Sequence, residues 1–177
     1  MKPKGGTADS PAQSEAAGNA KQKIQTEADM KILFVNGSPN KDGNTAALAK
    51  ALLDGKEYEQ LNLADYRINT FGQELAGDQF DEVLEKIKGA DVLVFGSPVY
   101  WHNISGAMRT LLDRFYGPVS SGSLKGRLFF LFQGAAPEKW MLDAGEYTMS
   151  RFAGLYGLKY EGMAANAAQA KKLAAKL

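Results

Sequence analysis

Cysteine is absent from the 177-residue chain, and histidine occurs once, at His102. Without cysteine there is no disulfide, no thiolate nucleophile, no cysteine-ligated zinc and no cysteine-held iron–sulfur cluster. A single histidine likewise rules out a multi-histidine metal site. Charge of one sign is also lacking, since 21 Lys and Arg face 20 Asp and Glu for a net charge of +1. No global field therefore recruits nucleic acid, an anionic membrane or a strongly charged protein. No apolar run reaches the length of a membrane span, and the lysine-bearing N-terminus lacks the apolar stretch of a secretory signal. Cytoplasmic residence is the expectation.

What is present suits one globular domain, with hydrophobic types at 45% supplying a core. Residues 1–29 stand apart: they are rich in Ala, Gly, Ser, Gln and Lys, and Ile24 is their only large aliphatic side chain. Such a segment buries too little apolar area to offset its conformational entropy. It is expected to be a disordered leader or tag-like extension, leaving residues 30–177 as the domain.

From Lys31 onward, short apolar runs alternate with helix-period stretches. Lys31–Val35, Tyr58–Leu63, Val92–Phe95, Leu128–Phe132 and Leu158–Met163 read as strands. Between them, Leu48, Ala49, Leu52 and Leu53 share one helical stripe, as do Phe80, Val83, Leu84 and Ile87. A third helix carries Ile104 to Phe115, a fourth spans 138–155, and an alanine- and lysine-rich helix ends at Leu177. This alternation predicts a parallel sheet with helices on both faces. Right-handed crossovers leave few topologies, among them strand order 2-1-3-4-5, with Tyr58–Leu63 the weakest strand and at an edge.

In such a sheet, ligands bind beyond the carboxyl ends of the strands, where the winding direction reverses. The loop Gly37-Ser38-Pro39-Asn40-Lys41-Asp42-Gly43-Asn44-Thr45 leads there from the first strand into a helix start. Helix N-termini offer free N–H groups and a positive dipole end, which suit a phosphate. Asp42 stands where a Walker loop needs its second glycine, and the dinucleotide fingerprint is missing as well. An NTPase or a Rossmann dehydrogenase is disfavoured; a plain turn capped by Ser and Asn stays open.

The second loop, Ser97-Pro98-Val99-Tyr100-Trp101-His102-Asn103, lies across the switch point. Pro98 stiffens it, and Val99, Tyr100 and Trp101 offer an apolar bed for a flat aromatic cofactor. Tyr100 and Trp101 also read as core or subunit contacts. Asn103 either bonds a ring edge or caps the third helix. His102 reads as an incidental loop residue. A third loop, Gln133-Gly134-Ala135-Ala136-Pro137, leaves the fourth strand at the same edge, with small residues that admit a close ring.

The run Met30-Lys31-Ile32-Leu33-Phe34-Val35-Asn36-Gly37-Ser38-Pro39-Asn40-Lys41-Asp42-Gly43-Asn44-Thr45 resembles the opening of the NAD(P)H-dependent FMN reductase group of the flavodoxin superfamily. Gly96-Ser97-Pro98-Val99-Tyr100-Trp101, with Ser105-Gly106-Ala107-Met108-Arg109-Thr110-Leu111-Leu112-Asp113-Arg114, resembles its second signature. The resemblance implies an α/β, flavodoxin-like three-layer sandwich with a five-stranded parallel sheet in order 2-1-3-4-5. It implies FMN as cofactor and NADH or NADPH as reductant, with a hydride passing to the flavin. Electrons then go to a small-molecule acceptor such as a quinone, an azo or nitro compound or free flavin. Carried over by position, Ser38, Asn40, Asn44 and Thr45 bind the phosphate. Pro98, Val99, Tyr100, Trp101 and Asn103 line the ring, with Gly134 and Ala135 opposite. No side chain acts as a catalyst, because the flavin carries the chemistry.

A homodimer is also implied, with Trp101, Phe115, Tyr116 and the stretch Trp140 to Tyr147 as its candidate surface, although such aromatics are as readily core. Relatives with an iron–sulfur cluster carry a cysteine cluster after the second strand, where Tyr66 to Gly72 here has none. Two other readings stand beside the reductase: a non-enzymatic electron-transfer flavodoxin, and a flavin-binding regulatory or structural protein. Carrier flavodoxins are usually strongly acidic with a shorter, threonine-rich phosphate loop, and neither trait is present.

Overall fold

The apolar run after Lys31 forms strand β1 (Ile32–Asn36), every residue of which is buried, between two parallel neighbours. A strand covered on both faces has no solvent side to alternate with, so its sequence reads as continuously apolar. The computed structural model describes residues 30–177, and the leader expected over residues 1–29 falls outside the described residues. After β1 come α1 (Asn44–Leu52), β2 (Glu59–Asn62), α2 (Phe80–Lys88), β3 (Val92–Tyr100) and β4 (Asn103–Ile104). They are followed by α3 (Gly106–Asp113), β5 (Arg127–Gln133), α4 (Lys139–Tyr156), β6 (Lys159–Ala164) and α5 (Ala167–Leu173).

The long strands are all parallel, in the order β2-β1-β3-β5-β6. This is the expected flavodoxin-like order, with β2 at an edge, plus one strand the expectation lacked. That strand, β4, pairs antiparallel with the end of β3 through Val99 with Ile104 and Tyr100 with Asn103. The difference has a cause. Gly96, Ser97 and Pro98 do not end β3, because their partners Leu131, Phe132 and Gln133 continue the ladder on β5. The chain then doubles back, so Ile104 joins β4 and α3 begins only at Gly106, capped by Ser105.

One face of the sheet is covered by α2, α3 and α4. Leu33, Val35, Leu93, Phe95, Phe130 and Phe132 form a single buried cluster with Leu84, Met108 and Phe152. On the other face α1 packs against α5, where buried Phe34, Val94 and Phe129 lie outside that cluster. Phe115 corrects an expectation. It is wholly buried against Phe80, Phe152 and Tyr156 and belongs to the core, so it is no surface contact. Among the described residues, no helix is long and apolar enough to cross a membrane.

Candidate functional site

β1 ends in Asn36, a polar side chain with no solvent exposure. Burial of an amide without partners is costly, and Asn36 meets that demand by organising the loop that follows. Its Oδ1 accepts from the Ser38 amide at 3.0 Å. Its Nδ2 donates to the Asn40 carbonyl at 3.3 Å and to Asn62 Oδ1 on β2 at 3.2 Å. Ser38 Oγ accepts from the Asn40 amide at 3.2 Å, which leaves the hydroxyl proton free to donate. Farther along, Gln60 Nε2 donates to the Lys41 carbonyl at 2.8 Å, and Lys41 Nζ pairs with Asp65 at 2.8 Å. The Lys41 ammonium holds the Asp65 carboxyl below its ordinary range.

Among the described residues, the loop delivers the chain to α1 with its first turn unsatisfied. Gly43 is the N-cap and provides no side-chain hydrogen bond, so the turn is not capped by Ser and Asn. The first intrahelical bond is Ala47 N–H to the Gly43 carbonyl at 2.9 Å. The amides of Asn44, Thr45 and Ala46 come before it and have no helical acceptor. Three convergent N–H groups, a helix dipole and a free serine proton make a donor set that matches the oxygens of a phosphate monoester. Thr45 itself is buried, and its Oγ1 accepts from Gln133 Nε2 at 3.4 Å, linking α1 to the end of β5.

The second loop is a tight hairpin. Trp101 and His102, at φ 47° and 65°, are the two central residues between β3 and β4. Two successive positive φ values are those of a type I′ turn, which ordinarily takes Asn-Gly. Trp101 is 94% exposed and Tyr100 46% exposed, so neither is core. Asn103 does not cap α3. Its Oδ1 accepts from the next amide, Ile104, at 2.8 Å.

Val99, Trp101, Gly134 and Ala135 line one cleft of about 270 Å³, together with His102, Ala136, Pro137 and Met141. A Cβ on Gly134 would lie 3.1 Å from Val99 Cβ, so the missing side chain is what lets the two loops close on each other. His102, read from the sequence as an incidental loop residue, lines this cleft, and its ring sits 5.5 Å from that of Trp140 on α4.

Seven of the expected residues thus fall in two groups: Ser38, Asn44 and Thr45 around the start of α1, and Val99, Trp101, Gly134 and Ala135 around the cleft. Asn40 shapes the first loop with its backbone, while its side chain is exposed. Pro98 is buried in the β3–β5 ladder, and Tyr100 and Asn103 are not among the cleft residues. Sequence reasoning passed over Asn36, Ser105, Gln133 and Met141. Asn36 carried a signal, a lone amide closing an apolar run, and Ser105 carried another, a cap residue ahead of a helical stripe.

A model of the family described as NADPH-dependent FMN reductase matches residues 30–171. An iron–sulfur flavoprotein from Methanocaldococcus jannaschii is 35% identical over 99 residues, covering 48% of this chain and 51% of that protein. An NADPH azoreductase from a Bacillus species is 32% identical over 87 residues, covering 48% of this chain and 49% of the azoreductase. The chain spans about half the length of these relatives. In fold, it is similar to an FMN-dependent NADH-azoreductase from Bacillus anthracis in complex with FMN. The TM-score is 0.61 at 16% identity, covering 83% of this chain and 94% of that one. Because the family match starts ahead of β1, takes in all three loops and ends within α5, this chain belongs to the NADPH-dependent FMN reductase family, whose cofactor is FMN.

Proposed function

We propose that this chain is an FMN-dependent oxidoreductase that draws on NAD(P)H and reduces a small-molecule acceptor: a quinone, an azo or nitro compound, or free flavin. The observation that carries the reading is the unsatisfied first turn of α1, joined through Thr45 and Gln133 to the strand whose end borders an apolar cleft. When bound, FMN supplies the redox chemistry, accepting a hydride from nicotinamide and releasing electrons to the acceptor.

The chain's own work is binding and orientation. Ser38, Asn40, Asn44 and Thr45 hold the phosphate. Hydrogen bonds to a charged group contribute about 1.5–3 kcal/mol each, so three or four supply most of the roughly 8 kcal/mol that micromolar affinity requires. Val99 and Trp101 flank the ring, with Gly134 and Ala135 across from them. Pro137 and Met141 help exclude water from the cleft, which strengthens the electrostatic interactions within it. The azo acceptor is supported by the similarity to azoreductases. The cluster named in the iron–sulfur relative does not carry over if cysteine holds it, because this chain has no cysteine.

The working assembly in this reading is a homodimer formed on the face between α3 and α4. There Tyr116, Tyr147 and Leu155 are exposed around a cavity that also holds Arg109, Asp113 and Arg151. A two-fold axis presents the same patch to itself, so a surface bearing both signs is self-complementary. Light scattering of the purified chain tests this, and a strictly monomeric mass opposes it.

The function is tested by titrating purified protein with FMN, then assaying azo dye and quinone reduction with NADPH and NADH. The reading requires saturable FMN binding and acceptor turnover. Failure to bind FMN would falsify it, and FMN binding without oxidation of either nicotinamide would make the chain an electron carrier instead.

A further inference from the structure

We propose that Ser105 is a positioning residue that sets the phosphate loop for FMN, holding the loop's first peptide from the far side of the site. The proposal rests on the FMN reading above. Ser105 is 2% exposed and caps α3. Its Oγ accepts from the Met108 amide at 3.2 Å and donates to the Gly37 carbonyl at 2.7 Å, a bond spanning 68 residues. A hydroxyl has one proton, and with Met108 N–H already occupying a lone pair, that proton is committed to Gly37.

Gly37 opens the loop, and it is held on its other side too. Its amide donates to the Gly96 carbonyl at 2.7 Å. There is no slack at this point, because a Cβ on Gly37 would lie 3.1 Å from Ser105 Oγ and 3.2 Å from Met108 Cβ. Fixing the Gly37 carbonyl fixes the plane of the Gly37–Ser38 peptide. From there the Asn36 bond to the Ser38 amide carries the orientation into the donor set. A ligand that meets its donors already oriented does not spend binding energy on ordering them.

The same residue touches the other half of the site by a different atom. The Ser105 amide donates to Ser97 Oγ at 2.8 Å, and that hydroxyl donates to the Pro98 carbonyl at 2.9 Å. Removing the Ser105 hydroxyl spares this backbone bond and releases only Gly37 and the α3 cap. Removing the Ser97 hydroxyl does the reverse. The two changes therefore separate the phosphate side from the ring side, and riboflavin, which has the ring and no phosphate, reports on one side alone.

The experiment measures dissociation constants for FMN and for riboflavin with wild type, S105A, S105T and S97A. S105A is expected to weaken FMN about tenfold and riboflavin by no more than about twofold. S105T restores the hydroxyl and recovers FMN affinity, and S97A weakens both flavins by one common factor. Should S105A not fold, S105G removes the same hydroxyl while keeping a favoured cap residue and gives the same reading. Equal weakening of both flavins by S105A or S105G, or no loss of FMN affinity, overturns the proposal. A wild type that binds neither flavin overturns the FMN reading itself, and a wild type with no preference for FMN over riboflavin overturns the phosphate assignment.

Discussion

Gly96 of β3 and Thr45 of α1 meet so closely that a Cβ on the glycine would lie 2.6 Å from the threonine Cγ2, and 2.7 Å from the Phe34 ring. The N-terminus of α1 therefore rests on bare backbone. Gly96→Ala forces α1 or the Phe34 ring to move, at a cost of about 1–3 kcal/mol. Thermal unfolding is expected to show a lowered midpoint. An FMN titration of the folded protein is expected to show weaker binding, because the shift falls on the turn proposed to hold the phosphate.

Asn44 opens α1 and is exposed, so a carboxylate there has room. Asn44→Asp places a negative charge at the positive end of the helix dipole, a gain of about 0.3–1 kcal/mol for the ligand-free protein. The same charge repels a bound phosphate. Stability and affinity are thus expected to move in opposite directions: a slightly higher melting point, FMN affinity lower by about tenfold or more, and riboflavin affinity unchanged. Parallel loss of both flavins would show that position 44 acts through folding.

The Trp101–His102 turn stores strain, since each residue at positive φ costs about 1–2 kcal/mol. Replacing the pair by Asn-Gly, in W101N/H102G, relieves it and forfeits the His102–Trp140 contact, worth about 0.5–1.5 kcal/mol. Trp101 is 94% exposed and adds little packing. The double variant is expected to melt higher and to bind riboflavin more weakly, because one wall of the cleft is lost. A destabilised variant with unaltered riboflavin binding would contradict the role given to this turn.

The sheet was legible because buried parallel strands are apolar on both faces, and the runs of β1 and β5 show that without any partner in view. The hairpin was not. Gly96-Ser97-Pro98 has the look of a strand stop, and only the matching length of β5 shows that pairing continues. Trp101 and His102 are residues a type I′ turn ordinarily avoids, so the turn left no mark in the sequence. In the site, the first loop was readable from local spacing. Its supports were not, because Ser105 reaches Gly37 across 68 residues and Asn36 reaches Asn62 across 26. Phe115 and Tyr116, adjacent just past α3, look alike in sequence, and packing alone makes one core and leaves the other exposed.

Acid stability should depend on Glu161. Burial raises its pKa, but bonds from Arg127 at 2.8 Å and Lys159 at 2.9 Å outweigh this and hold the carboxyl below the ordinary glutamate range. A depressed folded pKa means the stabilisation is complete above the unfolded value of about 4.3. It is lost as pH falls through the folded value. Glu161→Gln is expected to cost about 1–3 kcal/mol at neutral pH and to converge with wild type on acidification. Denaturant unfolding at a series of pH values checks this, and a pH-independent gap between the two would refute it.

In the proposed function, the loop from Ser38 to Thr45 and the cleft beside Gly134 form one FMN site open to a nicotinamide. An anaerobic titration of the FMN-loaded chain with NADPH and then NADH, followed by visible absorbance, tests it most directly. Bleaching of the flavin band by about one equivalent of either nicotinamide is the result expected of a two-electron hydride transfer. A band that persists through excess of both, in protein that has bound FMN, would contradict it.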